Sequence, residues 1–174
     1  LRDVLTEIPN RLAYDERLNL ELANYHRNNN TFVLVVWDID LFKKVNDNHG
    51  HLVGDKVLAH VSGVMRNCCR VSDFIFRIGG EEFLILTTGG ISGGEILAEK
   101  IRARIEKTPV VLEDLTLHIT SSFGVAQWEP DDGHAALTSV LTRADKALYA
   151  AKNIGRNRVS SLDISSIHSK KKHK

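Results

Sequence analysis

Asp38 and Asp40 close the stretch "TFVLVVWDID", Thr31 to Asp40, whose other residues are apolar on both faces of an extended chain. Their spacing of two puts both carboxylates on one side, with Ile39 on the other. A second acidic pair, Glu81 and Glu82, sits in "RIGGEEFLIL", Arg77 to Leu86. There two glycines and two adjacent, mutually repelling carboxylates interrupt a pair of apolar runs. Carboxylates at the ends of otherwise buried strands are costly to desolvate unless neutralised, and a divalent cation neutralises them efficiently. If the strand after the glycines lies beside "VVWDID", Asp38 and Glu81 face a common point. An oxygen-only donor set, with no nearby Cys and no His in the motif, favours Mg2+ or Mn2+ over Zn2+. Mg2+ in turn points to a phosphate-bearing substrate. Each pair also has a plainer reading, a strand-end turn for Asp-Ile-Asp and a solvated hairpin for Gly-Gly-Glu-Glu. Both readings weaken because both pairs terminate apolar strands. Gly79 and Gly80 permit positive φ and remove side chains where a ligand approaches the backbone.

The elements that must position these acids follow from periodicity. Pro9 and Asn10 read as a turn into an amphipathic helix with Leu12, Leu18, Leu20, Leu22 and Ala23 on its apolar stripe, ended by Asn28 to Asn30. "TFVLVVWDID" reads as a central strand covered on both sides. Asp55 is placed as the N-cap of a helix in which Val57, Leu58, Val61, Val64, Met65 and Cys68 recur at helical spacing. "DFIFRI" and "FLILTT" form a hairpin around the glycines, and Gly89 to Gly94 a loop. Glu95 to Lys107 forms a helix packed through Ile96, Leu97, Ile101 and Ile105. "LTLHITSSFGVAQW" supplies one or two strands. His134 to Lys152 is a helix with Leu137, Leu141, Ala144 and Leu148 on one side, closed by Gly155, and "RNRVSSLDI" adds an edge strand. This order, α-β-α-β-β-α-β-α-β, predicts an α/β (α+β) sandwich: a central mixed, largely antiparallel sheet flanked by helices, not a doubly wound parallel one.

Composition narrows the classes. The 174 residues fit one domain with a substantial core, and 43% hydrophobic and 26% charged residues are ordinary for a soluble globular protein. A formal charge of +1 gives no whole-molecule case for nucleic acid or membrane as partner. No run approaches a membrane span, and "LRDVLTEIPNR" lacks a signal-peptide pattern. The only cysteines, Cys68 and Cys69, are neighbours, which suits a reduced, cytoplasmic setting. The start without Met suggests a piece of something longer, with a sensor or regulatory region preceding it. The polar and basic end, residues 161–174, reads as a disordered tail behind a domain of residues 1–160.

"RIGGEEF" resembles the signature of the GGDEF family, here in its GGEEF form. "DVLTEIPNRLAYDERL" resembles that family's opening segment, "DIDLFKKVNDNHGHLVGD" its metal and guanine region, and "RADKALYAAKNIGRNRV" its closing helix. Together these run from Asp3 to Val159 in the family's order. The chain therefore resembles a diguanylate cyclase catalytic domain, a palm-like, nucleotide-cyclase-like fold. Such domains condense two GTP into cyclic di-GMP with release of pyrophosphate, in bacterial second-messenger signalling. The resemblance implies that Asp38, the Ile39 carbonyl and Glu81 hold Mg2+ or Mn2+, two ions per GTP, with Glu82 near them. It implies that Asn46 and Asp55 read guanine, that the Phe42 and Lys43 amides cradle phosphate, and that Lys152 and Arg156 clamp it. Gly80 lets the nucleotide come close, and Asp40 stays out of the ligand set. Whether Glu81 or a metal-held hydroxide takes the proton is left open. Because each domain presents one GTP, a homodimer is implied for catalysis.

"RVSD", Arg70 to Asp73, ends shortly before Gly79 and resembles the family's RxxD inhibitory site, where cyclic di-GMP binds. By itself it is a charged strand-entry turn. An arginine from the helix containing Arg102 and Arg104 is a candidate to complete it. Two positions depart from the family pattern: Glu7-Ile8 replaces a common Gly-Leu, and Trp37 is unusually bulky. A cyclic di-GMP receptor without catalysis, or a palm enzyme of other nucleotide preference, are the competing readings.

Overall fold

The strand β1 (Phe32–Ile39) is buried along its whole length, as a run apolar on both faces requires. Around it the computed structural model, which describes residues 8, 11–28, 31–129 and 136–162, builds one sheet. Its other strands are β2 (Phe74–Arg77), β3 (Glu82–Thr88), β6 (Ser121–Gln127) and β7 (Val159–Leu162), in the order β2-β3-β1-β6-β7. Only β6 and β7 pair parallel; the other pairs are antiparallel. A separate small hairpin joins β4 (Val110–Val111) to β5 (Thr116–Leu117). The helices are α1 (Arg11–Asn28), α2 (Phe42–His49), α3 (His51–Cys68), α4 (Ile91–Lys107) and α5 (Ala136–Ile154).

The alternation of β1 divides the core into two layers. Val33, Val35, Trp37 and Ile39 pack with Val57, Leu58, Val61 and Met65 of α3 and with Ala98, Ile101 and Ile105 of α4. Phe32, Leu34 and Val36 face Tyr14 of α1 and Val140, Ala144 and Leu148 of α5. Each such fully buried side chain contributes about 1.5–3 kcal/mol, which outweighs carrying an acid at the strand's end. Trp37 stacks between its cross-strand partners Phe83 and Phe123, at centroid distances of 4.7 and 5.3 Å. Its bulk thus fills the α3/α4 layer, on the face of the sheet opposite Asp38. Ile8 is buried in the same layer.

Several local expectations are corrected. The helix expected to start at Asp55 begins at His51, with Gly50 as its N-cap, so Asp55 lies inside it. A short helix, α2, precedes it where the sequence suggested only a connection. The α4 helix starts at Ile91, inside the expected Gly89–Gly94 loop. It buries Gly94, Ala98, Ile101 and Ile105, while Ile96 is 70% exposed. On α1, Leu12, Leu20 and Ala23 face solvent, and the inward residue is Tyr14, edge-on to Phe76 at 5.4 Å. Gly79 and Gly80 have no positive φ; among the described residues the glycines that do are Gly50, Gly89 and Gly155. The sheet continues through Leu162, past residue 160. The turn at Pro9 and Asn10, the side chains of Leu18, Leu22 and Leu137, the helix start at His134 and the tail from Asp163 lie outside the described residues. Among the described residues no helix is long and apolar enough to cross a membrane. Cys68 and Cys69 are free thiols. Burial, with Asp73 nearby, pushes the Cys69 thiol up to about 12, which makes it a poor nucleophile.

Candidate active site

Antiparallel pairing of β1 with β3 sets Asp38 directly opposite Glu82, so both side chains emerge on the α5 side of the sheet. Lys152, in the last turn of α5, donates from Nζ to Asp38 Oδ2. Asp38 Oδ1 is buried without a hydrogen-bond partner. Burial raises the Asp38 pKa above its ordinary 3.8, against the lowering effect of Lys152, and the charges of Asp40 and Glu81 push the same way. Burial likewise raises Glu82, with Asp145, Asp38 and Glu81 adding to it. Five carboxylates, Asp38, Asp40, Glu81, Glu82 and Asp145, thus share one field, partly neutralised by the Lys152 ammonium. Among the described residues no three His, Cys, Asp or Glu side chains gather into a metal cage.

The hairpin tip is closed by the Ile78 amide donating to the Glu82 carbonyl at 3.1 Å. Arg77 holds the tip from outside: its Nε donates to the carbonyls of Gly79 and Gly80 at 3.3 and 3.0 Å. Glu81 follows these glycines. A Cβ at Gly80 would meet open space, so the room there is available to a ligand. Beside it lies a cleft of about 460 Å3 lined by Phe42, Lys43, Asn46, His51, Asp55, Leu58, Arg77, Gly80 and Glu81. Phe42 and Lys43 are the first two residues of α2, where backbone N–H groups have no intrahelical partner and suit an anion. Leu41 enters that helix with φ 56°, a left-handed turn that sets its direction. A Cβ at Gly54 would collide with the Asn46 side chain; Gly54 therefore lets that amide lie across α3 toward the cleft.

Asp40 is fully used elsewhere. Its oxygens accept from Thr120 Oγ1 at 2.7 Å, Ser122 Oγ at 2.6 Å and the Asn157 amide at 2.9 Å. The Ile39 side chain is in the core, so only its main chain can serve a ligand. Arg156 is exposed just beyond α5.

The family model described as "Diguanylate cyclase, GGDEF domain" matches residues 1–158. The chain belongs to the GGDEF family. It is 45% identical over 160 residues to diguanylate cyclase DgcP of Pseudomonas aeruginosa, covering 91% of this chain and 23% of that protein. Against diguanylate cyclase DosC of Escherichia coli it is 40% identical over 162 residues, covering 90% and 34%. The chain thus spans a quarter to a third of these relatives' length. Its fold superposes on the coiled coil and GGDEF domain of DgcB from Caulobacter crescentus, solved in complex with c-di-GMP. The TM-score is 0.85 at 34% identity, over 92% of this chain and 85% of that one.

In this GGDEF domain Arg70 and Asp73 build a turn at the start of β2. The Arg70 amide donates to Asp73 Oδ2 at 2.8 Å and Thr87 Oγ1 donates to Oδ1 at 2.7 Å. A cleft of about 180 Å3 there is lined by Cys68, Arg70, Asp73, Thr87, Thr88, Gly93, Ile96, Leu97 and Lys100. The basic residue that α4 contributes is Lys100. Arg102, a candidate from the sequence, is bound instead to Glu99, Glu106 and Asn157. Arg77, Gly54 and Asn157 carry no motif signal beyond their neighbours and emerge only from the fold.

The raised carboxylate has a consequence for stability. An acid whose folded pKa exceeds its unfolded value favours folding least when ionised: the penalty is absent below pH 3.8 and full above the raised pKa. In chelator, Asp38→Asn is therefore expected to melt higher than the natural domain at pH 8, with the difference shrinking toward pH 4. Melting curves at both pH values check this; an equal or larger gain at pH 4 contradicts it.

Proposed function

We propose that this domain is a diguanylate cyclase, condensing two GTP into cyclic di-GMP and releasing pyrophosphate. The observation that carries the reading is Asp38: a buried carboxylate with one oxygen on Lys152 and the other without a partner, within the field of Glu81, which lines the cleft beside Gly80. An unpartnered buried carboxylate oxygen among further acids fits a hard cation, and Mg2+ needs only one or two protein carboxylates when phosphate supplies the rest. Held by Asp38, the Ile39 carbonyl and Glu81, Mg2+ or Mn2+, two per GTP, would activate the ribose 3′-hydroxyl and neutralise phosphate charge.

The chain's own residues do the remainder. Asp55 accepts from guanine N1–H and N2–H2, a pattern adenine lacks, and Asn46 completes the Watson–Crick edge. The amides of Phe42 and Lys43 hold phosphate at the helix start, and Gly80 leaves the nucleotide room. Lys152 and Arg156 bind the triphosphate from the far side, Arg156 through its planar fork. Glu82 lies against the ionised cluster and keeps its field acidic. Two domains face each other, each with one GTP, so that the 3′-oxygen of one nucleotide meets the α-phosphorus of the other; that positioning supplies much of the rate. Incubation with GTP and Mg2+, followed by mass spectrometry of the product, tests the reading directly.

The Arg70–Asp73 cleft is the inhibitory site for the product. Arg70 offers a bidentate donor to phosphate or to the guanine Hoogsteen edge, and Lys100 a second positive charge. Arg70→Ala is expected to leave initial synthesis rates unchanged and to remove inhibition by added cyclic di-GMP. Undiminished inhibition of that variant contradicts the assignment.

A further inference from the structure

Gly155, Arg156 and Asn157 leave α5 with φ of 144°, 62° and 47°. Two consecutive residues with side chains in the left-handed region are unfavourable, and they persist only where their surroundings over-determine them. Here they do so from two sides. Inward, the Asn157 amide donates to Asp40 Oδ2, and Asp40 is itself fixed by Thr120 and Ser122. Outward, Arg102 Nη1 donates to Asn157 Oδ1 at 2.8 Å, and Asn157 Nδ2 donates to Glu106. Arg102 is locked in turn by Glu99, at 2.8 and 2.6 Å, and by Glu106 at 3.0 Å, with its side chain 17% exposed.

The end of β1, α4 and the segment after α5 thus meet on one asparagine. Closing the helix does not require this, because the Arg156 amide already returns to the Ala151 carbonyl at 3.0 Å. What the double anchor fixes is the direction in which Arg156 departs, four residues after Lys152. It also explains why Asp40 is unavailable to a cation although it shares a face with Asp38.

We propose that Asn157 is a positioning residue: pinned by Asp40 through its backbone and by Arg102 and Glu106 through its side chain, it holds the left-handed turn that aims Arg156 at the triphosphate. The inference rests on the phosphate role given to Arg156 above. It makes nucleotide affinity depend on α4, a helix that contributes no residue to the nucleotide cleft.

The test is equilibrium binding of a non-hydrolysable GTP analogue with Mg2+, in a mutant cycle. Asn157→Gly keeps the permitted φ and removes only the side-chain anchor; Arg102→Ala removes that anchor from the other end. Each is expected to weaken binding about tenfold, the effect of one charge-assisted contact, and Arg102→Lys to restore part of it. Neither should weaken binding further once Arg156→Ala is present, and amide exchange across residues 155–158 should quicken in both. Wild-type affinity of Asn157→Gly beside a weakened Arg156→Ala overturns the positioning role alone, as do losses that add to that of Arg156→Ala. Wild-type affinity of Arg156→Ala removes the phosphate role, and the proposal with it.

Discussion

Glu81→Ala is expected to lower cyclic di-GMP formation from GTP and Mg2+ by about a hundredfold or more, the scale at which losing one charge-stabilising group acts. The variant should fold. The hairpin tip is closed by main-chain bonds and by Arg77 on the carbonyls of Gly79 and Gly80, none of which uses the Glu81 side chain. Removing Glu81 also removes a negative charge acting on Asp38 and Glu82. Stability should therefore stay level or rise while catalysis collapses, a split that a merely structural residue would not produce. The measurement is product by mass spectrometry at high protein concentration, because the proposed reaction needs two domains to meet, with melting curves on the same samples. Product at the natural rate would take Glu81 out of the site. A cyclic product from ATP would separately take guanine reading away from Asn46 and Asp55.

How much of this was legible in the sequence depends on the range of the force involved. Asp38 and Glu82 were visible as acids ending apolar runs, because burial imposes its pattern on the residues themselves. The sequence suggested that Asp38 meets Glu81. The register of β1 and β3 instead sets Glu82 opposite Asp38 and leaves Glu81 just before the strand. The apolar pattern alone did not resolve that one-residue difference. The layered arrangement was legible from that pattern, including β1 as the strand covered on both faces, but the short α2 and the β4–β5 hairpin were not. Where the deciding contact is tertiary and polar, nothing local announces it. Asp55 looks like a helix cap, yet Gly50 starts the helix, because the left-handed Leu41 and the short α2 bring the chain in one turn earlier. Ile96 fits a helical stripe, yet faces solvent because Gly94 and Ala98 let α4 sit closer to the sheet along another line. Arg102 resembles any surface arginine until Asn157, 55 residues away, arrives beside it.

Gly124→Ala should have the largest effect on the fold of any single methyl group added to this domain. Gly124 sits in β6 opposite Val36 of β1. A Cβ there would press on the Ala144 carbonyl, the Leu148 amide and the Leu148 Cα, all main-chain atoms of α5. Side-chain ends can swing away from an intruding methyl, but helical backbone cannot without shifting the helix. Overpacking of this kind costs about 3 kcal/mol, or about 6–12 °C in melting temperature for a domain of this size. The control is Gly63→Ala on α3, where a Cβ meets nothing and the gain in helix propensity should stabilise by about 0.5–1 kcal/mol. The damage should also reach chemistry, because α5 delivers Lys152 to Asp38. Well below its melting point, Gly124→Ala should bind GTP more weakly than the Gly63→Ala control. If both variants melt and bind alike, α5 does not rest on β6 at this point, and the placement of Lys152 at the acids loses its support.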